Sequence, residues 1–308
     1  MFTLSVIICT YKRYEILDLA IDSALGLIKK NKNISILVVD NNPDEFYQAN
    51  FYKKYSGNKN FKVERCLELG LSNARNKGLN LVDPDFITYI DDDAIFSPSW
   101  FEGIESAVIS DKDIGVIGGP VKPIWPKSGR PKWLPDSCLG FLTVLDLGDQ
   151  IRKISKNEYF CGTNITFKTR YLKEVGGFNS SLGRLGNVLL SNEELQVTHK
   201  IMGLGGTAVY SPSALVMHRV HEDRISRSWL RKRIAWQAIS DVFMNPEAIN
   251  SDKLKYESMH QFLKRVPPGN RGLNALFDNY DDQIINEHQF RAIEDLVYKA
   301  LVRPESYE

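Results

Sequence analysis

The sequence predicts an α/β protein built on a mainly parallel central sheet flanked by helices, with a helical extension at the C-terminal end. Three observations carry this: short, continuous apolar runs, helix-length segments between them, and a change to helical periodicity after residue 222. Continuous apolar runs fit strands covered on both faces. Strand–helix alternation implies right-handed βαβ units.

The runs LSVIIC (4–9), ISILVV (34–39), FKVERC (61–66) and DFITYI (85–90) are the first four expected strands. Helices are expected near 14–29, 44–55 and 71–81, where Asn, Gly, Pro or Asp flank helical spacing. PSWFEGIESAVIS reads as a helix opened by Pro98, followed by a strand at IGVIGG (114–119). Residues 120–136 hold five prolines and two tryptophans, Trp125 and Trp133, and read as a loop. Strands are expected again at GFLTVLDL (140–147), NITFK (164–168), TAVYS (207–211) and ALVMH (214–218), with a helix near 192–202. Beyond 224, Trp229, Trp236 and Phe243 recur every seven residues, and Leu230, Ile234 and Ile239 extend that stripe. A terminal helix is expected over 281–302, separated from the first by KRVPPGNRG (264–272).

Composition narrows the function classes. Of 308 residues, 43% are hydrophobic and 25% charged, ordinary for a folded chain, and the formal charge of +1 gives no global field toward nucleic acid. Four cysteines, Cys9, Cys66, Cys138 and Cys161, show neither a CxxC pair nor zinc spacing, which suggests a reducing compartment. The N-terminal TLSVIICTY lacks a basic leader, and no apolar stretch approaches the ~18 residues of a membrane span. A cytoplasmic location is expected, with peripheral attachment to the inner face of a membrane left open.

In open α/β sheets ligands sit at the carboxyl ends of the strands. Here those ends carry Thr10, Asp40 and the triplet Asp91, Asp92 and Asp93 in YIDDDAIFS. Three adjacent carboxylates repel one another, and a hard divalent cation (Mn²⁺ or Mg²⁺) carrying a substrate phosphate would relieve that. A solvated turn ahead of Pro98 is the bland alternative. Asp40, in LVVDNNPDE, is either a turn former or an acceptor for a nucleobase or ribose. LGLSNARNKGL sets Arg75 and Lys77 near a helix start, where an anion is favoured, unless they lie on a solvated face. Glu193 and Glu194 open a helix in LLSNEELQ: Ser191 and Glu194 match a capping box, but a helix start also holds a general base rigidly. His218 closes a strand, as a core imidazole or a metal ligand.

The order of motifs says more than any one of them. SVIICTYKR, ILVVDNN, LSNARNKGL, YIDDDA, CGTNITFKTRYLKEVGGF, SNEELQ and YSPSALVMH together resemble glycosyltransferase family 2, over roughly residues 3 to 222. The resemblance implies a GT-A fold, with a glycosyltransferase domain over 1–222 (nucleotide-binding half 1–120, acceptor and catalytic half 121–222) and a helical extension over 223–308. It implies that Thr10, Tyr11, Arg13, Asp40 and Arg75 contact the nucleotide, that Asp91 faces the ribose, and that Asp92 belongs with them without a separate role. Asp93 would bind the metal, with His218 completing its shell, and Gly162, Thr163 and Asn164 would line the donor-sugar pocket. Glu194 is the expected base, although Glu replaces the more usual Asp there and Gln196 stands where an acid is common. If Glu194 is only a cap, Glu193 takes the role.

The resemblance further implies inverting transfer from a nucleotide-diphosphate sugar to an acceptor hydroxyl, on a glycan or a lipid-linked glycan. A sugar-phosphate nucleotidylyltransferase would need a Gly-rich, Arg-containing loop after the first strand, and CTYKRYE is not one. A haloacid-dehalogenase-type phosphatase places its aspartates after the first strand rather than the fourth. An inactive binding module would have no need of Asp91, Asp93, Glu194 and His218 together. Arg224, Arg227, Arg231, Lys232 and Arg233 crowd beside Trp229 and Trp236, as an amphipathic helix with solvated charges or as a basic interfacial face. Trp125 and Trp133 could stack on a sugar or cover the donor.

Overall fold

The computed structural model describes residues 2–42, 51–186, 188–244 and 257–302. The chain divides into two compact units, one of residues 1–124, 143–186 and 193–219, the other of 125–142, 187–192 and 220–308.

The first unit is built around β1 (Leu4–Thr10), which lies parallel between β2 (Ile34–Asp40) and β4 (Phe86–Asp91), with β3 (Phe61–Arg65) outside β2. Its apolar run serves two cores. Leu4, Val6 and Ile8 face one side, against Leu17, Ile21 and Ala24 of α1 (Tyr14–Lys30). Ile7 faces the other, with Leu37, Val39 and Ala74 and Leu79 of α2 (Leu71–Leu81). Burying each such aliphatic side chain contributes about 1.5–3 kcal/mol, so a strand apolar on both faces has no stable place at a wet edge. The expected helix at 44–55 lies mostly outside the described residues; Lys53–Tyr55 within it is a 3₁₀ turn.

Beyond β4 the sheet continues through β9 (Ile165–Lys168), β6 (Ile114–Gly118), β10 (Thr207–Tyr210) and β8 (Arg152–Lys153). β9 runs antiparallel to both its neighbours and β8 antiparallel to β10, so the sheet is mixed, with two of its eight strands reversed. Periodicity carries no direction, which is why the sequence indicated strands here and not their sense. A smaller sheet joins β5 (Ala94–Phe96), β11 (Val216–Arg219) and β7 (Val121–Ile124), with β11 in the middle. α3 (Trp100–Ser110), α4 (Thr169–Glu174) and α5 (Glu193–Gly203) complete this unit.

Two expectations are corrected. Residues 140–147 are not a strand: Asp136–Leu142 winds as 3₁₀ turns, Thr143 sits at φ 66°, and a single bridge, Val121 to Leu145, remains. A residue with φ above 0° lies outside the extended region and breaks the run there. Residues 120–136 are not all loop, because Val121–Ile124 is β7. Pro123 argues against a strand, but beyond the single Val121–Leu145 bridge β7 pairs only with β11, and an edge strand tolerates a missing N–H.

In the second unit, α6 (Arg227–Met244) and α7 (Glu257–Arg265) both pack on α8 (Gln283–Val302). The buried stripe of α6 is Leu230, Arg233, Ile234 and Ala238. The heptad of Trp229, Trp236 and Phe243 flanks it instead, with both tryptophans half-buried and Phe243 58% exposed. The basic cluster is largely bonded inside this unit. Arg227 donates to Tyr280 O (2.8 Å) and lies over the Trp133 ring (4.8 Å), Arg231 donates to Asp278 O (2.6 Å), and Arg233 to Gln237 Oε1 (2.8 Å).

Back in the first unit, the turn at Ala214, which leads into β11, is gripped by two glycines. A Cβ on Gly119 would lie 2.0 Å from Ala214 O, and one on Gly103 2.3 Å from Ala214 N. Both obstacles are backbone and cannot rotate away. Gly119→Ala should therefore cost about 1–3 kcal/mol, in the range of overpacked cores, read as a lower urea midpoint; an unshifted midpoint would show that this contact does not constrain the turn.

Candidate functional site

Strand register assembles the site. Thr10 of β1 pairs with Asp40 of β2, and Cys9 with Asp91 of β4, so three polar strand ends line one carboxyl edge. After Asp91 the chain turns through Asp92 and Asp93 and returns as β5, whose Ala94 pairs with His218 of β11. Arg219 N–H donates to Asp93 O at 2.9 Å, closing that junction.

The triplet is divided among different sets of partners, with Arg13 shared by Asp92 and Asp93. Asp92 is fully buried and accepts from Thr10 Oγ1 (2.6 Å), Arg13 Nε (3.2 Å) and Arg13 Nη2. Burial pushes its carboxyl up to about 7, even though Arg13 pulls the other way. Burial alone would lower Arg13, but the charges of Asp92, Asp93 and Asp91 hold it above its ordinary value. Asp93 accepts from Arg13 Nη1 at 2.8 Å through one oxygen, and its other oxygen lies 3.4 Å from His218 Nε2. The side chain of Asp91 remains 32% exposed, 3.9 Å from Arg75 Nη2.

Asp91, Asp93 and His218 each offer a ligand atom, all within 4.8 Å of one another. Two of the three are buried and the third is partly open, which leaves a solvent side for a further ligand. Two carboxylates and an imidazole make a donor set that fits a divalent cation. The sequence expectation put Asp93 and His218 with the metal and Asp91 with the ribose; the geometry brings Asp91 to the same cluster.

On the other side stands the start of α5. Glu193 is buried and accepts from Arg75 Nη1 at 2.8 Å. Glu194 is 18% exposed, accepts the Gly162 N–H at 3.2 Å, and lies 4.0 Å from Arg75 Nη1. Its carboxylate is thus engaged with Gly162, whereas the capping-box reading would turn it back on Ser191. Arg75 sits on the buried face of α2 at 3% exposure, while Lys77 is exposed, so the two cations of that motif part company.

Other expected residues are placed as follows. Tyr11 is 46% exposed at the end of β1, followed by Lys12 at φ 57°. Asp40 is buried and accepts from Tyr14 Oη (3.0 Å), Tyr52 Oη (2.9 Å) and Asn42 N (2.9 Å). Burial, then the neighbouring Asp40 charge, pushes the Tyr52 phenol up. Asn164 joins three elements, accepting from Trp100 Nε1 (3.0 Å) and donating to Pro120 O (3.1 Å) and Ala214 O (2.7 Å). Thr163 is buried beside it. Tyr14, Tyr52 and Trp100 were not anticipated as members of this network; each lies in a helical or turn segment where an aromatic reads only as core.

The model of the family described as "Glycosyl transferase family 2" matches residues 5–176. A glucosyl-dolichyl phosphate glucuronosyltransferase of Haloferax volcanii is 31% identical over 264 residues, covering 82% of this chain and 81% of the relative. This chain belongs to glycosyl transferase family 2. The succinoglycan biosynthesis protein ExoM of Rhizobium meliloti is 25% identical over 236 residues, 73% of this chain and 70% of that one. Among solved structures, the Pyrobaculum calidifontis mannosyltransferase PcManGT, in complex with GDP-Man and Mn²⁺, matches with a TM-score of 0.58 at 15% identity over 99% of this chain and 75% of that one. GalNAc-T7 with UDP, GalNAc and Mn²⁺ matches at 0.55 and 15% identity, covering 100% of this chain and 57% of that one. The glycosyltransferase has the GT-A fold.

In this glycosyltransferase one guanidinium, Arg75, faces three carboxylates, Glu193, Glu194 and Asp91. Burial and the adjacent Glu194 charge push Glu193 up to about 8, against the lowering effect of Arg75. A carboxyl held above its unfolded value contributes stability that is complete below that unfolded pKa and is lost as pH rises through about 8. Thermal melting should therefore drop more between pH 6 and 9 for the wild type than for Glu193→Gln; parallel curves would count against a proton on Glu193.

Proposed function

We propose that this glycosyltransferase moves a sugar from a nucleoside-diphosphate donor to an acceptor hydroxyl, by a single displacement with inversion, in a reaction that needs a divalent cation. The observation that carries this is the span of Arg75: it lies 3.9 Å from Asp91, in the metal-suited cluster, and 4.0 Å from Glu194, so cluster and base flank one short gap. Asp91, Asp93 and His218 would hold Mn²⁺ or Mg²⁺, the imidazole weighting the set toward Mn²⁺, and the bound cation would stabilise charge on the departing diphosphate.

The chain's own groups do the rest. Glu194, the more exposed of the two acids, takes the proton from the attacking hydroxyl, and Glu193 is enclosed by Arg75. The exposed Tyr11 ring offers a stacking face for the base, beside Thr10 and Asp40 at the same strand edge. Arg13 holds Asp92 and Asp93 in place, and Gly162 to Asn164 shape the wall beside Glu194. A lipid-linked acceptor is supported by the relative whose name contains glucosyl-dolichyl phosphate, and a glycan acceptor by the succinoglycan relative. No helix of the described residues is long and apolar enough to cross a membrane.

Glu194→Gln should lower kcat by about 10²–10⁴-fold, the usual contribution of a positioned base, while nucleotide affinity stays near wild type by calorimetry. Asp93→Asn should abolish the Mn²⁺ dependence of UDP or GDP binding. Metal-independent nucleotide binding in the wild type, or full turnover by Glu194→Gln, would overturn the corresponding assignment.

A further inference from the structure

Arg75 is one of the most completely enclosed charges in the first unit, and its bonds run inward. From α2 it donates to Glu193 Oε1 (2.8 Å) and to Gly162 O (3.4 Å), with Glu194 Oε2 at 4.0 Å and Asp91 Oδ1 at 3.9 Å. Its planar head lies by the rings of Phe178 (5.3 Å) and Tyr89 (5.9 Å), and Tyr89 Oη donates to the Arg75 carbonyl at 3.1 Å. The Gly162 backbone is held on both sides of its Cα, its carbonyl by Arg75 and its N–H by Glu194 Oε1 at 3.2 Å. A Cβ on Gly162 would come within 2.6 Å of Arg75 Nη2 and 3.1 Å of Glu194 Oε1, so the absence of a side chain there is what lets the two groups close on one residue.

We propose that Arg75 is a positioning residue for the base at the start of α5, acting through Glu193 and the backbone of Gly162, and not a contact to the nucleotide. A guanidinium can reach Glu193 and Gly162 O at once because its donors diverge in a fixed plane; an ammonium offers a single point and cannot bridge both. At 3% exposure the head has little surface left for a phosphate or a base. Its position between Asp91 and Glu194 also sets the gap between the metal-suited cluster and the base, and in-line attack tolerates little error in that gap. The inference rests on Glu194 as base and adds what holds it.

The test compares Arg75→Lys, Gly162→Ala and the paired Arg75→Met/Glu193→Gln, which removes both members of the buried Arg75–Glu193 contact and so leaves neither without its partner. Each is measured for kcat, donor KM and calorimetric affinity for UDP and GDP with Mn²⁺, with near-UV circular dichroism as the check on folding. The expected result is a kcat loss of about 10–100-fold in all three, as for a misplaced catalytic group, with KM and nucleotide affinity within about threefold of wild type. A tenfold weaker nucleotide affinity with kcat retained in Arg75→Lys would make Arg75 a nucleotide contact and overturn the proposal. Wild-type kcat in the folded paired variant would overturn it as well. A fully active Glu194→Gln removes the base assignment and this proposal together; an inactive Glu194→Gln beside an unimpaired Arg75→Lys removes this proposal alone.

Discussion

Three consecutive carboxylates at the end of a buried strand are the constraint around which the first unit is arranged. Two like charges about 4 Å apart repel by about 4 kcal/mol at an effective dielectric of 20, so a triplet without partners would cost a large part of a domain's net stability. The fold answers by turning the three aspartates different ways and setting one shared cation, Arg13, between two of them. Asp92 turns into the protein onto Thr10 and Arg13, Asp93 lies between Arg13 and His218, and Asp91 faces the opening near Arg75. The loop after β1, the central position of β1 and the return strand β11 all supply pieces of that answer.

The same logic repeats across the gap at smaller scale. Glu193 and Glu194 also stand side by side, and they too are separated by role: one enclosed on Arg75, the other turned to Gly162 and partly open. Buried carboxylates close to like charges hold protons more tightly, and both acidic groups keep one such member, Asp92 and Glu193. The acids left more accessible are Asp91 and Glu194, which the proposed reaction sets beside the cation and the attacking hydroxyl.

Much of this was legible beforehand, for identifiable reasons. β1, β2, β4 and β6 were readable because strands buried on both faces show as unbroken apolar runs, and α2 matched its expected bounds of 71–81. The acids were readable because polar groups at such strand ends have few structural excuses. What stayed hidden was pairing. Nothing in CTYKR indicates that Arg13 turns back onto Asp92 and Asp93, because that depends on which strands are neighbours. Strand direction was hidden for the same reason, as β9 shows, and β7 was hidden by Pro123. On α6 the heptad of large aromatics was conspicuous, yet burial follows Leu230, Ile234 and Ala238, because the geometry of packing against α8 decides which face is covered, not residue size.

The contribution of β11 also bears on when the site can exist. His218 reaches Asp93 only because β11 pairs with β5, and the two strands lie more than a hundred residues apart in the chain. Chain closures over such separations form late, and synthesis delivers the N-terminal strands first. A nascent chain can therefore assemble the sheet from β1 to β4 and expose the aspartate turn well before the histidine that joins it has left the ribosome. Until then Arg13, encoded before the turn it neutralises, is the counter-charge already at hand.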